Sequence, residues 1–436
     1  MNKKKLENLF DDLFPLNRSI LGKGYRKSLE LLSYHVPFKY YDFKSGYKAF
    51  DWNVPQEWEI KEAYISKLNG DKIVDFANNN LHVLNYSSPI EKIISIEELR
   101  NNIFTLKSQP TAIPYVTSYY KKNWGFCMSY NDFKNLNDIK YKNKIDSKFK
   151  DGNLRIGEVV LKGSSNKEIL ITSYLCHPSM ANNELSGPLC LIYLYNRLKN
   201  KKNRQFTYRF IINPETIGSL CYLSLKHQEL KKNVIAGLVL TCLGGNSKKL
   251  SLKLSKCSDS IIDKYFINLN KSDKVNLREF TPFGGSDERQ YNSPRINLPI
   301  SQISKTVYGE HKEYHNSLDN KEFLDFKEFY KSCEEILNCI IEIDKSEYYY
   351  NSIGFGELFL SSRNLYPSIN SEETRLYKSN DKVADNNRMQ KTIMCLLNYC
   401  DGKHSLNDIA VRLGEELDYV VKISKTLYKK KLLKKL

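Results

Sequence analysis

Ile169-Leu170-Ile171-Thr172-Ser173, then Cys176-His177-Pro178-Ser179-Met180-Ala181-Asn182-Asn183-Glu184-Leu185-Ser186-Gly187, decides how this chain is read. The first five residues form an apolar run bounded by polar signals, the pattern of a strand buried on both faces. A histidine follows the strand, and an acid with a Ser-Gly pair opens a helix predicted over Ser186 to Leu198. The same order recurs downstream. Tyr208-Arg209-Phe210-Ile211-Ile212 reads as a strand, Asn213-Pro214-Glu215-Thr216-Ile217-Gly218-Ser219 as its exit, and Ile217 to about Leu230 as a helix. Leu238-Val239-Leu240-Thr241 and Leu298-Pro299-Ile300-Ser301 are further strand candidates. Phe326, Tyr330, Cys333, Leu337 and Ile340 mark a long helix. Alternating strands and helices predict an α/β fold, a central mixed sheet flanked by helices.

The flanking regions differ in texture. Residues 1 to about 35 read as helical, with Leu6, Leu9, Phe10, Leu13 and Phe14 on one stripe. Residues 46–149 hold short aromatic, β-rich runs split by turns such as Asn69-Gly70-Asp71, which predicts a separate inserted module. The catalytic core is then 1–45 with 150–345, and a Tyr-, Ser- and Asn-rich segment, 346–385, connects it to residues 386–436. That last stretch predicts three short helices and a strand at Leu432-Leu433, the pattern of a winged helix.

Composition narrows the function classes. A chain of 436 residues with 41% hydrophobic and 27% charged residues can build sizeable cores, which excludes wholesale disorder. The ten cysteines include no C-x-x-C pair and several sit in apolar runs, so they read as small core hydrophobes in a reducing cytoplasm. No apolar h-region follows the basic start, and the stretch around Leu189 to Tyr195 is far too short to span a bilayer. The net charge of +17 suggests nucleic acid, but residues 386–436 hold only +6 of it, from eleven basic and five acidic residues. Lys422, Lys425, Lys429, Lys430 and Lys431 form a basic helix face that suits a solvated surface or a protein partner better than DNA, since no base-reading Arg or Asn cluster accompanies them.

Reactive side chains gather where strands end, the usual place for sites in open α/β sheets. Besides His177, Glu184 and Glu215 these are Gly284-Gly285-Ser286-Asp287-Glu288-Arg289 and Glu313-Tyr314-His315-Asn316-Ser317-Leu318-Asp319. Imidazoles from His177 and His315 with a carboxylate from Glu184 or Asp287 make a zinc donor set that leaves room for water. Glu215 is the candidate general base. Each has a plainer reading. Glu184 can favour a helix N-terminus, Asp287 can hold a loop, and Arg289 can bind a substrate carboxylate or form a structural ion pair.

The order of these segments resembles the cocatalytic zinc aminopeptidases, with His177 like their first ligand, His315 like their last, Glu215 like their base and Ser286-Asp287 like a supporting segment. His-Pro-Ser-x-Ala-Asn, Pro-Glu-Thr-Ile-Gly-Ser, Gly-Ser-Asp-Glu-Arg-Gln and the Glu-Tyr-His segment together resemble, more closely, a bacterial aminopeptidase-like family. Phe50-Asp51-Trp52-Asn53-Val54-Pro55, Leu81-His82-Val83 and Ser118 to Phe126 look like its inserted module, and Leu16-Asn17-Arg18-Ser19-Ile20 like its N-terminal segment. The resemblance implies an aminopeptidase-like core, an inserted β domain, a C-terminal winged helix and a link to surface-polysaccharide biosynthesis.

The departures fall on metal positions. Asn183 stands where the bridging aspartate is expected, Thr216 replaces a glutamate, and Thr241-Cys242-Leu243-Gly244-Gly245 holds no carboxylate. One zinc ion is therefore expected on His177, His315 and Glu184, with a second ion, on Asn183 or Asp287, left open. Arg289 and Tyr314 are the substrate-binding candidates, and the substrate expected is a small peptide or related amide. The alternatives are a catalytically degenerate binding protein, on the strength of Asn183 and Thr216, and a winged-helix nucleic-acid regulator.

Overall fold

The structure is a computed structural model that describes residues 1–363, 365 and 381–436, with side chains of the last stretch from Arg388 onward. The chain divides into two compact units, Met1–Ser258 with Phe266–Cys339, and Asp259–Tyr265 with Ile340–Leu436.

An eight-stranded mixed sheet forms the first unit's frame. Its order from one edge is Lys39–Lys44, Asn153–Leu161, Thr207–Asn213, Glu168–Tyr174, Val234–Leu240, Ile300–Ser304, Leu250–Lys253 and Val275–Arg278. The strands Thr207–Asn213, Glu168–Tyr174, Val234–Leu240 and Ile300–Ser304 run parallel, and antiparallel pairings flank them. Every residue of Glu168–Tyr174 and of Thr207–Asn213 is buried, as in strands covered on both faces, and the charged Arg209 among them is paired with Glu158 and Glu168. The helices Ser186–Leu198 and Ile217–Asn233 start where the sequence places them.

Gly187 lets the first of these helices meet the sheet. A Cβ there would lie 2.1 Å from Ser173 Oγ and 2.3 Å from the Leu240 carbonyl oxygen. Gly187→Ala should therefore destabilise the protein by about 1–3 kcal/mol through overpacking. Urea unfolding checks this, and an unchanged midpoint would show that the helix can retreat without cost.

Several expectations change. The N-terminal helical stretch is two helices, Lys3–Leu13 and Lys23–Ser33, and the segment between them carries buried Arg18. The short strands Lys39–Lys44, Leu250–Lys253 and Val275–Arg278 join the main sheet although the sequence does not announce them. The inserted region does form its own antiparallel sheet, Lys72–Asp75, Glu57–Ser66, Lys140–Lys150 and Ile90–Ser95. It is not a separate module in packing, because Trp58, Tyr86 and Phe126 share one apolar core with Ile156, Leu170 and Ile211.

In the second unit, Tyr348–Asn351 is the middle strand of a three-stranded sheet between Asp401–Ser405 and Leu433–Lys435. Its tyrosines were read as part of the connecting segment, but alternate residues pair with both neighbours, so this sheet begins well before residue 386. Within that segment, residues 364 and 366–380 lie outside the described residues. The helices Asp381–Tyr399, Leu406–Leu413 and Leu417–Lys429 pack Leu396, Ile409, Val420 and Leu427 into one core. Ser405 and Asp408 form the expected capping box. Lys422, Lys425, Lys429, Lys430 and Lys431 are exposed. Among the described residues, no helix is long and apolar enough to cross a membrane.

Candidate active site

The parallel strands deliver their reactive residues to one end of the sheet. Cys176 and His177 follow Glu168–Tyr174, Glu215 follows Thr207–Asn213, and Cys242 follows Val234–Leu240. The loop after Ile300–Ser304 runs to His315. Ser179, Thr216, Cys242 and His315 all have positive φ, from 48° to 62°. Such backbone costs a β-branched or bulky residue about 1–3 kcal/mol and tends to collect at functional sites.

His177 is almost fully buried. Its Nδ1–H donates to Glu184 Oε2 at 2.7 Å, and its Nε2 faces Glu215 Oε2 at 3.8 Å. Glu184 therefore meets the His177 ring at its Nδ1 edge, with Oε1 left without a hydrogen-bond partner among the described residues. It sits behind the imidazole, where a supporting carboxylate fixes the tautomer of a metal-binding histidine. The wide turn Ala181–Leu185 presents it, and Asp319 clamps that turn, accepting the Asn182 N–H at 2.6 Å and the Asn183 N–H at 2.8 Å. Burial opposes charge on His177, but neighbouring Cys176 and Glu184 raise its pKa well above the ordinary value.

His315 closes the opposite side. Its ring centroid lies 5.2 Å from that of His177, and Tyr314 stacks on its other face at 3.9 Å. Burial, His177 and His311 hold its pKa down to about 3, so the ring is neutral, the form that ligates metal. The inserted region supports this loop directly. Tyr115 N–H donates to the His315 carbonyl at 2.8 Å, and the Tyr115 ring touches both imidazoles, with centroids at 5.0 and 5.5 Å.

Glu215 lines the same cavity, about 530 Å³ in volume, with Cys176, His177, Thr216 and His315. Burial raises its pKa, while His177, Ser286 and Arg289 pull it back. Ser286 Oγ donates to Oε1 at 2.7 Å, which leaves Oε2 toward His177. A buried ion pair behind the base fixes that serine. Lys253 Nζ binds Glu288 Oε1 at 3.0 Å, and Glu288 Oε2 accepts the Ser286 N–H at 2.9 Å. Ser286→Ala should then raise the Glu215 pKa further. Because the base works unprotonated, the acid limb of kcat/KM against pH should move to higher pH; an unmoved limb would show that Ser286 does not act on the base.

The remaining candidates fall outside this cluster. Asp287 has both oxygens engaged, taking Thr216 N–H and Ser219 Oγ on Oδ1 and Asn213 Nδ2 on Oδ2, and so holds the loop and helix start. Asn183 joins a neutral network. Its Nδ2 reaches the Tyr174 hydroxyl at 3.3 Å and Cys242 Sγ at 3.7 Å, and the Tyr174 hydroxyl meets Thr241 Oγ1 at 2.6 Å. Among the described residues, no carboxylate hydrogen-bonds to the Asn183, Tyr174 or Cys242 side chains, and Asp319 meets only the Asn183 backbone N–H. Arg289 Nε binds the Ser286 carbonyl, and neither Arg289 nor Tyr314 lines the cavity; their parts are to hold the loop and back His315.

Sequence reasoning missed several neighbours. Cys176, read as core, places Sγ 3.4 Å from His177 Nδ1, and burial pushes its thiol up to about 12. Cys176, His177 and Glu184 hold donor atoms within 4.8 Å of one another, with Glu184 at the Nδ1 edge of His177, and Cys176 Sγ also accepts the Glu215 backbone N–H at 3.4 Å. Arg18, fully buried, donates from Nε to the His177 carbonyl at 3.0 Å, and its Nη2 has no partner. The cavity's outer wall is Trp52, Tyr115, Val116, Thr117, Tyr119 and Tyr120, all from the inserted region.

Fold and site together define an aminopeptidase-like α/β protein with a C-terminal winged helix. The chain belongs to the family described as "Domain of unknown function (DUF4910)", whose sequence model matches residues 7–346, and a winged helix-turn-helix model matches 347–435. A Clostridium acetobutylicum protein is 38% identical over 432 residues, 99% of this chain and 96% of its own. It is provisionally named a polysaccharide biosynthesis protein with an aminopeptidase-like domain. A crystal structure from the same organism, provisionally described as a peptidase, matches with a TM-score of 0.80 at 37% identity, covering 100% of this chain and 96% of that one. The Bacillus subtilis zinc aminopeptidase shares the fold, with a TM-score of 0.57 at 13% identity over 78% of this chain and 94% of its own.

Proposed function

We propose that this protein is a zinc-dependent amide hydrolase in which Glu215 is the general base. The observation that carries the reading is the placement of Glu215. It is half-buried, its Oε1 is held by Ser286, and its Oε2 faces the Nε2 edge of His177 at 3.8 Å, free to accept the proton of a water in the cavity. From there Glu215 takes the proton of the attacking water and passes it to the leaving nitrogen.

The donor set fits one ion. His315 is neutral, no hydrogen bond to its ring nitrogens exists among the described residues, and its ring stands 5.2 Å from that of His177. Two imidazoles bound at about 2.0–2.1 Å to one zinc take up a comparable spacing. His177 and His315 would hold it, with Glu184 fixing the His177 tautomer. Zinc bound there would polarise the amide carbonyl and make water more acidic. The neutral Asn183–Tyr174–Cys242 network argues against a second ion.

The relative's name supports a place in polysaccharide biosynthesis. Ten free cysteines suit a reducing cytoplasm, and the exposed lysines of Leu417–Lys429 suit a protein partner for the winged helix. The neutral network also favours a second reading, a binding protein that keeps the fold without the chemistry. Purified protein incubated with zinc and a panel of aminoacyl and N-acyl amides separates the two. Hydrolysis that disappears with chelation supports the enzyme, and binding without turnover supports the alternative.

A further inference from the structure

The cavity's outer wall points to the substrate class. Among the described residues lining it, Glu215 is the one carboxylate, and its Oε1 is already engaged by Ser286. No spare acid is placed to hold a substrate ammonium next to the scissile amide. A free α-amine brought into such a chamber would lose hydration without an ion pair, which is costly.

What the wall offers instead is aromatic surface with hydroxyl edges. Tyr115 and Tyr119 join hydroxyl to hydroxyl at 2.7 Å. At the mouth, Trp52 and Tyr120 meet edge to face, with centroids 5.3 Å apart. They remain 41% and 55% exposed, although rings of this size are usually covered. The Tyr120 hydroxyl is tied to the Asn53 carbonyl, which fixes the pair as a platform. Trp and Tyr so placed suit a ligand with one apolar face and polar edges. A saturated sugar ring has that form, with axial C–H bonds on a face and hydroxyls around the rim.

We propose that Trp52 and Tyr120 determine specificity by stacking on the ring of an N-acylated amino sugar, whose neutral amide reaches Glu215. The inference rests on the hydrolase reading and sharpens it. The water oxygen bonds to the acyl carbon, the C–N bond breaks, and both water protons pass through Glu215 to nitrogen, which leaves as an ammonium. The products are a carboxylate and a free amino sugar.

Two experiments on the full chain test this. Methyl N-acetylglucosaminide is titrated into the Glu215→Gln protein while tryptophan fluorescence is followed, and the same glycoside is compared with leucinamide as a substrate of the zinc-loaded wild type. The expected result is saturable binding that weakens about tenfold or more in Trp52→Ala and in Tyr120→Ala, with acetate released from the glycoside faster than leucine from leucinamide. Trp52→Phe should restore most of the affinity. Binding that is absent, or unchanged in both alanine variants, overturns the proposal. So does faster cleavage of leucinamide, which would leave the hydrolase reading intact. Binding through Trp52 with no cleavage of either compound would support the sugar platform and remove the hydrolase.

Discussion

Glu215→Gln will lower amide hydrolysis by about 10²–10⁴-fold, the usual contribution of a positioned general base. Glutamine keeps the volume and can still accept the Ser286 hydroxyl on its carbonyl oxygen, so folding should be little disturbed. What it loses is the free carboxylate oxygen that faces His177. Zinc content should stay near that of the wild type, since Glu215 is not among the proposed ligands. The pH profile gives a second check. Burial raises the Glu215 pKa, so wild-type kcat/KM should rise with pH through a value above the ordinary carboxylate range and then level. Steady-state rates of zinc-loaded wild type and variant, with circular dichroism as a folding control, decide the matter. Rates within a few-fold of each other would mean that Glu215 is not the base.

The second large effect falls on the metal. His177→Ala should abolish tight zinc binding. Glu184→Gln should weaken it by about 10–100-fold, the range seen when a carboxylate behind a ligating histidine is lost. The two variants differ because His177 supplies the donor atom while Glu184 fixes which nitrogen carries the proton. Binding also competes with protons. His177 has a raised pKa, so zinc affinity should fall as pH drops through that value, and each ion taken up should release a proton. Competition titrations with a zinc chelator at several pH values measure both effects. If Glu184→Gln abolished binding as completely as His177→Ala, Glu184 would be a ligand after all.

His177, Glu215 and His315 could be found from sequence because two of them follow largely apolar strands and the third precedes a long periodic helix. The role of Glu184 could not. Its distance from His177 along the chain does not tell which imidazole nitrogen it meets; the turn set by Asp319 decides that. Cys176 looks in sequence like any other buried cysteine. Its place beside His177 follows from the direction in which the Glu168–Tyr174 strand ends.

Longer-range geometry hid the rest. Lys253 ends a four-residue strand too short and too polar to stand out, yet its ammonium anchors the loop that brings Ser286 to the base. Trp52 and Tyr115 to Tyr120 were recognisable as signatures of the inserted region. Their arrival at the cavity depends on pairing between that region and the His315 loop, some 200 residues away in sequence. Tyr348–Asn351 was hidden for the same reason, since its partners are near the end of the chain.

Anomalous scattering at the zinc edge, from crystals grown with zinc, tests the central claim most directly. One peak between the facing imidazoles of His177 and His315, on the cavity side beside Glu215, is the expected result. Two peaks, or a single peak among Cys176, His177 Nδ1 and Glu184, would contradict it.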